Sequence, residues 1–199
     1  MNTVRRQILD IAGRQSVFRA KDIPGVRNPQ TELCRMVVNG EIVRVGRGLY
    51  SLSNSDVGEN HSLVEAVKVY GGGVICLISS LYFHKIGSQL PYETWIMRHD
   101  RSPVRDKGLP VRIVYCTSKA FYFGIEKHTI DGVDVNIYSP AKTIADCFKY
   151  RNKVGLDVAI EAIREGWKMN LFTMDELWAA AKICRVQKII QPYVEMLVS

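Results

Sequence analysis

The chain has 199 residues, 47% of them hydrophobic and 24% charged, with a formal net charge of +7. That balance is ordinary for a globular protein, no run approaches the roughly 18 uninterrupted apolar residues of a membrane span, and the start (Met1-Asn2-Thr3-Val4-Arg5-Arg6) lacks the apolar block of a secretory signal. A soluble, cytoplasmic protein that does not enter a membrane is expected.

Cys34, Cys76, Cys116, Cys147 and Cys184 stand singly with no C-x-x-C pair, and His61, His84, His99 and His128 are equally dispersed. The pattern predicts reduced core thiols, no metal site and no cofactor. The charge is unevenly spread. Residues 1–53 hold nine Lys/Arg against four Asp/Glu, a surplus of five out of the total of seven. A basic segment of this kind suits an anionic partner.

Val4, Ile8, Ile11 and Ala12 follow the helical period and predict a first helix over Thr3–Gln15. A short helical piece, Ala20–Ile23, ends at Pro24-Gly25. Asn28-Pro29 then reads as a cap followed by a first-turn proline, opening a third helix that ends at Asn39-Gly40. Its inward stripe is Leu33, Met36 and Val37; the opposite face carries Thr31, Arg35 and Val38. Two β-prone runs, Glu41–Val45 and Leu49–Leu52, flank Gly46-Arg47-Gly48 and predict a hairpin with an arginine at its tip.

Three helices followed by a basic hairpin is the order of a winged helix-turn-helix. In that arrangement the third helix enters the major groove and the hairpin reaches neighbouring backbone or minor groove. The candidate DNA-binding residues are Arg27, Asn28, Gln30, Thr31, Arg35, Arg44 and Arg47: short polar groups for phosphates or base edges, Arg35 for a bidentate guanine contact, Arg47 for a narrow groove. Against this, Arg44 and Arg47 also suit a solvated turn, and Glu32 would repel phosphate if it faced the groove.

The polar stretch Ser53–Asn60 reads as a linker, dividing the chain into 1–55 and 56–199. Ser62-x-x-Glu65 is a capping-box pattern opening a helix. Gly71-Gly72-Gly73 is a turn, since no Gly-Lys-Ser/Thr comes after it. A strand over Val74–Ile78 and a helix over Ser79–His84 come next. Four β-prone runs succeed them (93–98, 111–116, 122–130, 133–138), the last two joined at Asp131-Gly132, and predict a small antiparallel sheet. The basic connection carries Arg98, Arg101, Arg105 and Lys107 around Pro103, with Arg112 beyond. The C-terminal third reads as helices: one opening at Ser139-Pro140, one striped by Leu156, Ala159, Ile160, Ile163 and Trp167, one behind a Thr173-x-x-Glu176 capping box, and a last one containing Pro192. The fold class expected is α+β: an N-terminal winged helix-turn-helix, then a mixed domain with a helical C-terminal part.

The wing Gly46–Tyr50, the stretch Val74–Leu81 and, above all, the run Tyr138-Ser139-Pro140-Ala141-Lys142-Thr143-Ile144-Ala145-Asp146 continuing into Lys149–Asp157 resemble the AbiEi-type antitoxins of bacterial abortive-infection (AbiE) toxin–antitoxin systems. The resemblance covers nearly the whole chain. It implies a winged-helix domain that represses its own operon at inverted repeats in promoter DNA, and a C-terminal domain that counters a nucleotidyltransferase-like toxin as a type IV antitoxin, without a stable complex. It implies no catalytic residue. A charged strip beside the specific run, Lys142, Asp146, Lys149, Arg151 and Lys153, is the candidate antitoxicity surface.

Two other functions fit parts of the sequence. An enzyme such as a nuclease or nucleotide hydrolase would draw on Asp131, Asp134, Asp157 and Glu161, all at ordinary turn or helix-face positions. A ligand-responsive regulator would line a pocket with Tyr82, Phe83, Tyr92, Trp95, Phe121, Tyr122 and Phe123, residues that also suit a core.

Overall fold

Periodicity places the first helix correctly: in the computed structural model, α1 spans Thr3–Arg14 and buries Ile8, Ile11 and Ala12. The structure describes residues 3–54, 58–102 and 108–198. By contact they divide into two units, one formed by the described residues of Met1–Gly71, Val104–Leu109 and Thr129–Val135, the other by those of Gly72–Pro103, Pro110–His128 and Asn136–Ser199.

In the first unit, a strand too short to show in the sequence, β1 (Phe18–Arg19), precedes a single 3-10 turn over Ala20–Asp22. That turn is all that forms of the expected second helix, with Pro24-Gly25 directly behind it. The next helix, α2 (Gln30–Val38), has Pro29 at its cap position and no side-chain cap, so Asn28 does not cap it. The hairpin is β2 (Ile42–Gly46) and β3 (Leu49–Leu52), with an irregular register between Arg44 and Gly46. Gly48 has φ +72°, a conformation most side chains avoid, which allows the tight turn. The sheet order is β1-β3-β2. Ile8, Phe18, Leu33, Met36 and Ile42 fill the core between helices and sheet.

This unit also contains α3 (His61–Tyr70), which lies beyond the expected boundary at residue 55. Ser62 and Glu65 do not form a capping box; the helix begins two residues early, at His61 behind Asn60, and Glu65 instead lies 3.7 Å from His61 Nε2. The Ser53–Asn60 linker is described only in part, since residues 55–57 lie outside the described residues. Gly132, at the Asp131-Gly132 turn, packs so closely against the Arg14 carbonyl that a Cβ there would overlap it.

The second unit differs most from expectation in its sheet. Its strands are β4 (Val74–Ile75), β5 (Thr94–Arg98), β6 (Val111–Tyr115), β7 (Ile125–Ile130) and β8 (Val133–Tyr138), in the order β6-β5-β4-β8-β7, the residues Thr129–Val135 at the β7–β8 turn being counted with the first unit. β4 pairs antiparallel with β5 but parallel with β8, and β5 pairs parallel with β6. The sheet is therefore mixed, not antiparallel. Adjacent runs in sequence suggested hairpins, whereas β4 leaves the sheet after two residues and the chain returns on its far side as β8. Leu77, at φ +50°, turns the chain into α4 (Leu77–Phe83), which cuts short the strand expected over Val74–Ile78. The run from Tyr122 likewise begins late, because α5 (Ser118–Phe121) occupies the preceding residues.

The remaining helices are α6 (Pro140–Lys149), α7 (Arg151–Val154), α8 (Leu156–Lys168), α9 (Met174–Cys184) and α10 (Gln187–Val198, containing Pro192). Ser139 Oγ accepts from the Lys142 N–H at the start of α6, and Thr173 and Glu176 form the expected capping box of α9. Phe148, Ile144, Ala159, Ile163, Leu177 and Tyr138 lie in one continuous core. The chain is thus an α+β protein with ten α-helices and a mixed sheet among its described residues. No described helix is long and apolar enough to cross a membrane.

Candidate nucleic-acid interface

Burying Leu33 and Met36 turns the other side of α2 outward. Thr31, Cys34 and Arg35 are exposed there, with Gln30 at the N-terminal end and Arg27 and Asn28 exposed just before it. Arg35 retains 69% of its side-chain exposure. Glu32, the residue whose charge opposed a phosphate-facing helix, is only 14% exposed and lies 3.6 Å from the Arg35 guanidinium. It is turned away from solvent and faces the arginine head group.

On the hairpin, Val43, Arg44 and Val45 are all exposed, and Arg47 is exposed at the tip. Arg44 Nε donates to the Gly46 carbonyl at 3.2 Å, which fixes its stem along the strand. Glu41, at the foot of the hairpin, is neutralised by Arg5 of α1 at 2.8 Å and accepts from Asn39 Nδ2. All seven residues expected to meet DNA are therefore exposed on the first unit, and the two nearby carboxylates are engaged with arginines. Lys68 is spent inside the fold, bonded to Asp22 at 2.6 Å and to Gln15 at 2.8 Å.

The charged strip of the second unit is reorganised. Lys142 and Asp146 are 0% and 1% exposed and form an ion pair one helical turn apart. They cannot belong to a surface, and this part of the expectation is corrected. The helical wheel put them opposite Ile144 and Phe148, but α6 is covered on both sides. Lys142 Nζ also lies 4.1 Å from the centre of the Tyr138 ring, and Asp146 Oδ1 accepts from Cys184 Sγ at 3.2 Å. Burial, the largest single influence, pulls the Lys142 ammonium downward, but the Asp146 charge and hydrogen bond together with nearby Cys184 and Cys116 outweigh it, and the net shift is upward. Burial pushes the Cys184 thiol up to about 12, with the Asp146 charge adding to it.

What remains accessible of the strip is basic, with Lys153 exposed and Lys149 and Arg151 half-buried. Lys149 and Lys153 flank the Tyr150 ring, 5.6 and 5.9 Å from its centre, and Arg151 Nη1 donates to the Phe148 carbonyl at 3.0 Å. Sequence reasoning missed the polar cluster behind α6: Ser80 Oγ lies 2.7 Å from Thr143 Oγ1, both donate toward the Tyr138 carbonyl, and His84 Nε2 lies 2.8 Å from the same oxygen. Only the presence of Ser and Thr in otherwise apolar runs signalled it.

The carboxylates of the enzyme alternative have local partners. Glu161 accepts from the Ser88 N–H and Asp134 from Thr129 Oγ1, while Asp131 lies 3.8 Å from His61. No group of three or more His, Cys, Asp or Glu among the described residues could hold a metal ion. Of the candidate pocket aromatics, Trp95 and Phe121 are core, Tyr92 and Tyr122 are exposed, and Phe123 lines a cleft of about 300 Å³, beside Phe172, Glu126 and Glu176. Arg98 pairs with Asp100 at 2.7 Å and Arg112 with Glu93 at 2.6 Å, so two cations of the basic connection are committed. Pro103, Arg105 and Lys107 lie outside the described residues. Cys34 is exposed and Cys116 half-buried, which corrects the expectation of five core thiols.

Comparison with known protein families and with curated proteins finds no match.

Proposed function

We propose that the chain is a DNA-binding transcriptional repressor whose first unit is a winged helix, with α2 as the recognition helix and the β2–β3 hairpin as the wing. The observation that carries this reading is the outward display of Gln30, Thr31, Arg35, Arg44 and Arg47 while Glu32 and Glu41 are held by arginines. Arg35 reads a guanine, Arg44 and Arg47 meet phosphates or a narrow groove, and Arg27, Asn28 and Gln30 fix the helix end on the backbone. Fluorescence anisotropy of the full chain on the duplex upstream of its own gene tests this. Affinity should exceed that for scrambled DNA and fall steeply with salt through counterion release. Equal, weakly salt-dependent binding to both duplexes would defeat it.

The second half of the proposal, supported by the resemblance of residues 138–157, is that the chain is the antitoxin of an AbiE-like type IV system acting in the cytoplasm against a nucleotidyltransferase-like toxin. Its antitoxicity surface is then the Lys149–Tyr150–Lys153 patch with Arg151. Charge reversal at Lys149 and Lys153 should abolish rescue in cells expressing the toxin while leaving DNA affinity unchanged; intact rescue would remove the patch from the proposal.

A further inference from the structure

Val38 is 85% exposed at the end of α2, more than any other valine, leucine or isoleucine among the described residues. Helix stability does not account for it, since valine is a mediocre helix former and here buries almost nothing. It is also not isolated. Thr31, Cys34 and Val38 recur at intervals of three and four residues, so they share one face of α2, and all three are exposed. That face offers a methyl, a thiol and an isopropyl group in a row, with the Arg35 guanidinium beside it. From 31 to 38 the row is about 10 Å long at a rise of roughly 1.5 Å per residue, which matches about three base-pair steps of roughly 3.4 Å.

A DNA major groove offers one apolar complement to such a row, the C5 methyl of thymine; guanine O6 and N7 are the matching pair for the arginine. The flanks argue for a duplex over a protein surface, because the row is one side chain wide and bordered by Gln30 and Arg35, with the cations Arg44 and Arg47 on the neighbouring hairpin. Resting on the DNA-binding reading above, the geometry points to a thymine-reading face: Thr31, Cys34 and Val38 pack on thymine methyls within a three-base-pair window adjoining a guanine held by Arg35. Val38 is a specificity residue at one end of that window, and Cys34 lies in its middle.

The test begins with selection of bound duplexes from a randomised library by the full chain. In the strongest-bound sequence each dT is then replaced singly by dU, which removes the methyl and leaves every hydrogen-bonding group in place. Affinity should fall roughly fourfold at positions inside one three-base-pair window, the effect of one buried methyl group. Val38→Ser, which leaves no methyl on an exposed site, should erase the loss at one end of the window, and Cys34→Ser the loss at its centre, while the guanine preference stays. Arg35→Ala should do the reverse. Sequence-specific binding in which every dU duplex matches its dT parent overturns the thymine reading and leaves the DNA-binding reading standing. If Val38→Ser instead abolishes self-association in sedimentation and dU has no effect, the face belongs to a second copy of the chain and the inference falls. A library that yields no enriched sequence overturns the inference and the DNA-binding reading together.

Discussion

Two helices of similar length treat charge in opposite ways. On α2, Arg35 and even Val38 face solvent, and the only residues fully withdrawn are Leu33 and Met36. On α6 every residue from Ala141 to Phe148 is buried, including Lys142 and Asp146. The difference lies in what each charge is given. Lys142 has a carboxylate one turn on and an aromatic ring beneath it, and Asp146 has a thiol donor as well. Arg35 has one partially withdrawn glutamate. A charged residue is tolerated inside when its partners come with it; one left on the surface with few partners is free to find them in another molecule.

The largest expected effect comes from breaking the inner pair. Lys142→Met or Asp146→Ala alone should cost about 3–5 kcal/mol in urea unfolding, because each leaves an uncompensated buried charge, whereas the double change Lys142→Met with Asp146→Leu should recover most of that loss. If either single variant is as stable as the parent, the pair is not desolvated and the contrast with α2 disappears. On the outer helix, Arg35→Ala should leave the unfolding midpoint unchanged and cost about 1–3 kcal/mol of operator binding, relaxing the preference at one base pair. Arg47→Ala should weaken all duplexes alike and lower the salt slope by about 1.

The smallest effect concerns His84, beside the α6 cluster. Burial lowers its basicity below the usual value of 6.5, with the Tyr138 carbonyl acting in the opposite sense. The fold therefore holds the neutral ring. Its contribution is present above pH 6.5 and is lost as the pH falls through the lower folded value, when the ring must charge. His84→Gln, which keeps an amide donor for Tyr138, should flatten the stability profile on the acid side of pH 6.5; an unchanged profile would show that the ring stays neutral in both states or is solvated when folded.

Local signals were legible wherever one residue decides the local structure. Ser139-Pro140 opened α6, Thr173 and Glu176 capped α9, and Gly46-Arg47-Gly48 turned the hairpin. The exposed face of α2 also followed from its period, which is why Thr31, Arg35 and Val38 are found on the surface. What failed depended on distant chain. The parallel pairing of β4 with β8 joins Ile75 to Ile137, far along the chain, and no local pattern encodes it. Lys142 and Asp146 read as a polar stripe because a helical wheel shows that two charges share a side but not that Cys184 and Tyr138 will cover it. Ser62 and Glu65 had the spacing of a cap, yet His61 was drawn into the helix and engaged Glu65 instead.

The exposed Cys34 has a practical consequence. Cys76, Cys147 and Cys184 are buried, and burial also raises the half-buried Cys116. A maleimide dye should therefore label the native chain at a single position on α2, without an engineered cysteine. A fluorophore there would report directly, by quenching or by a change in rotational freedom, when that helix face becomes occupied.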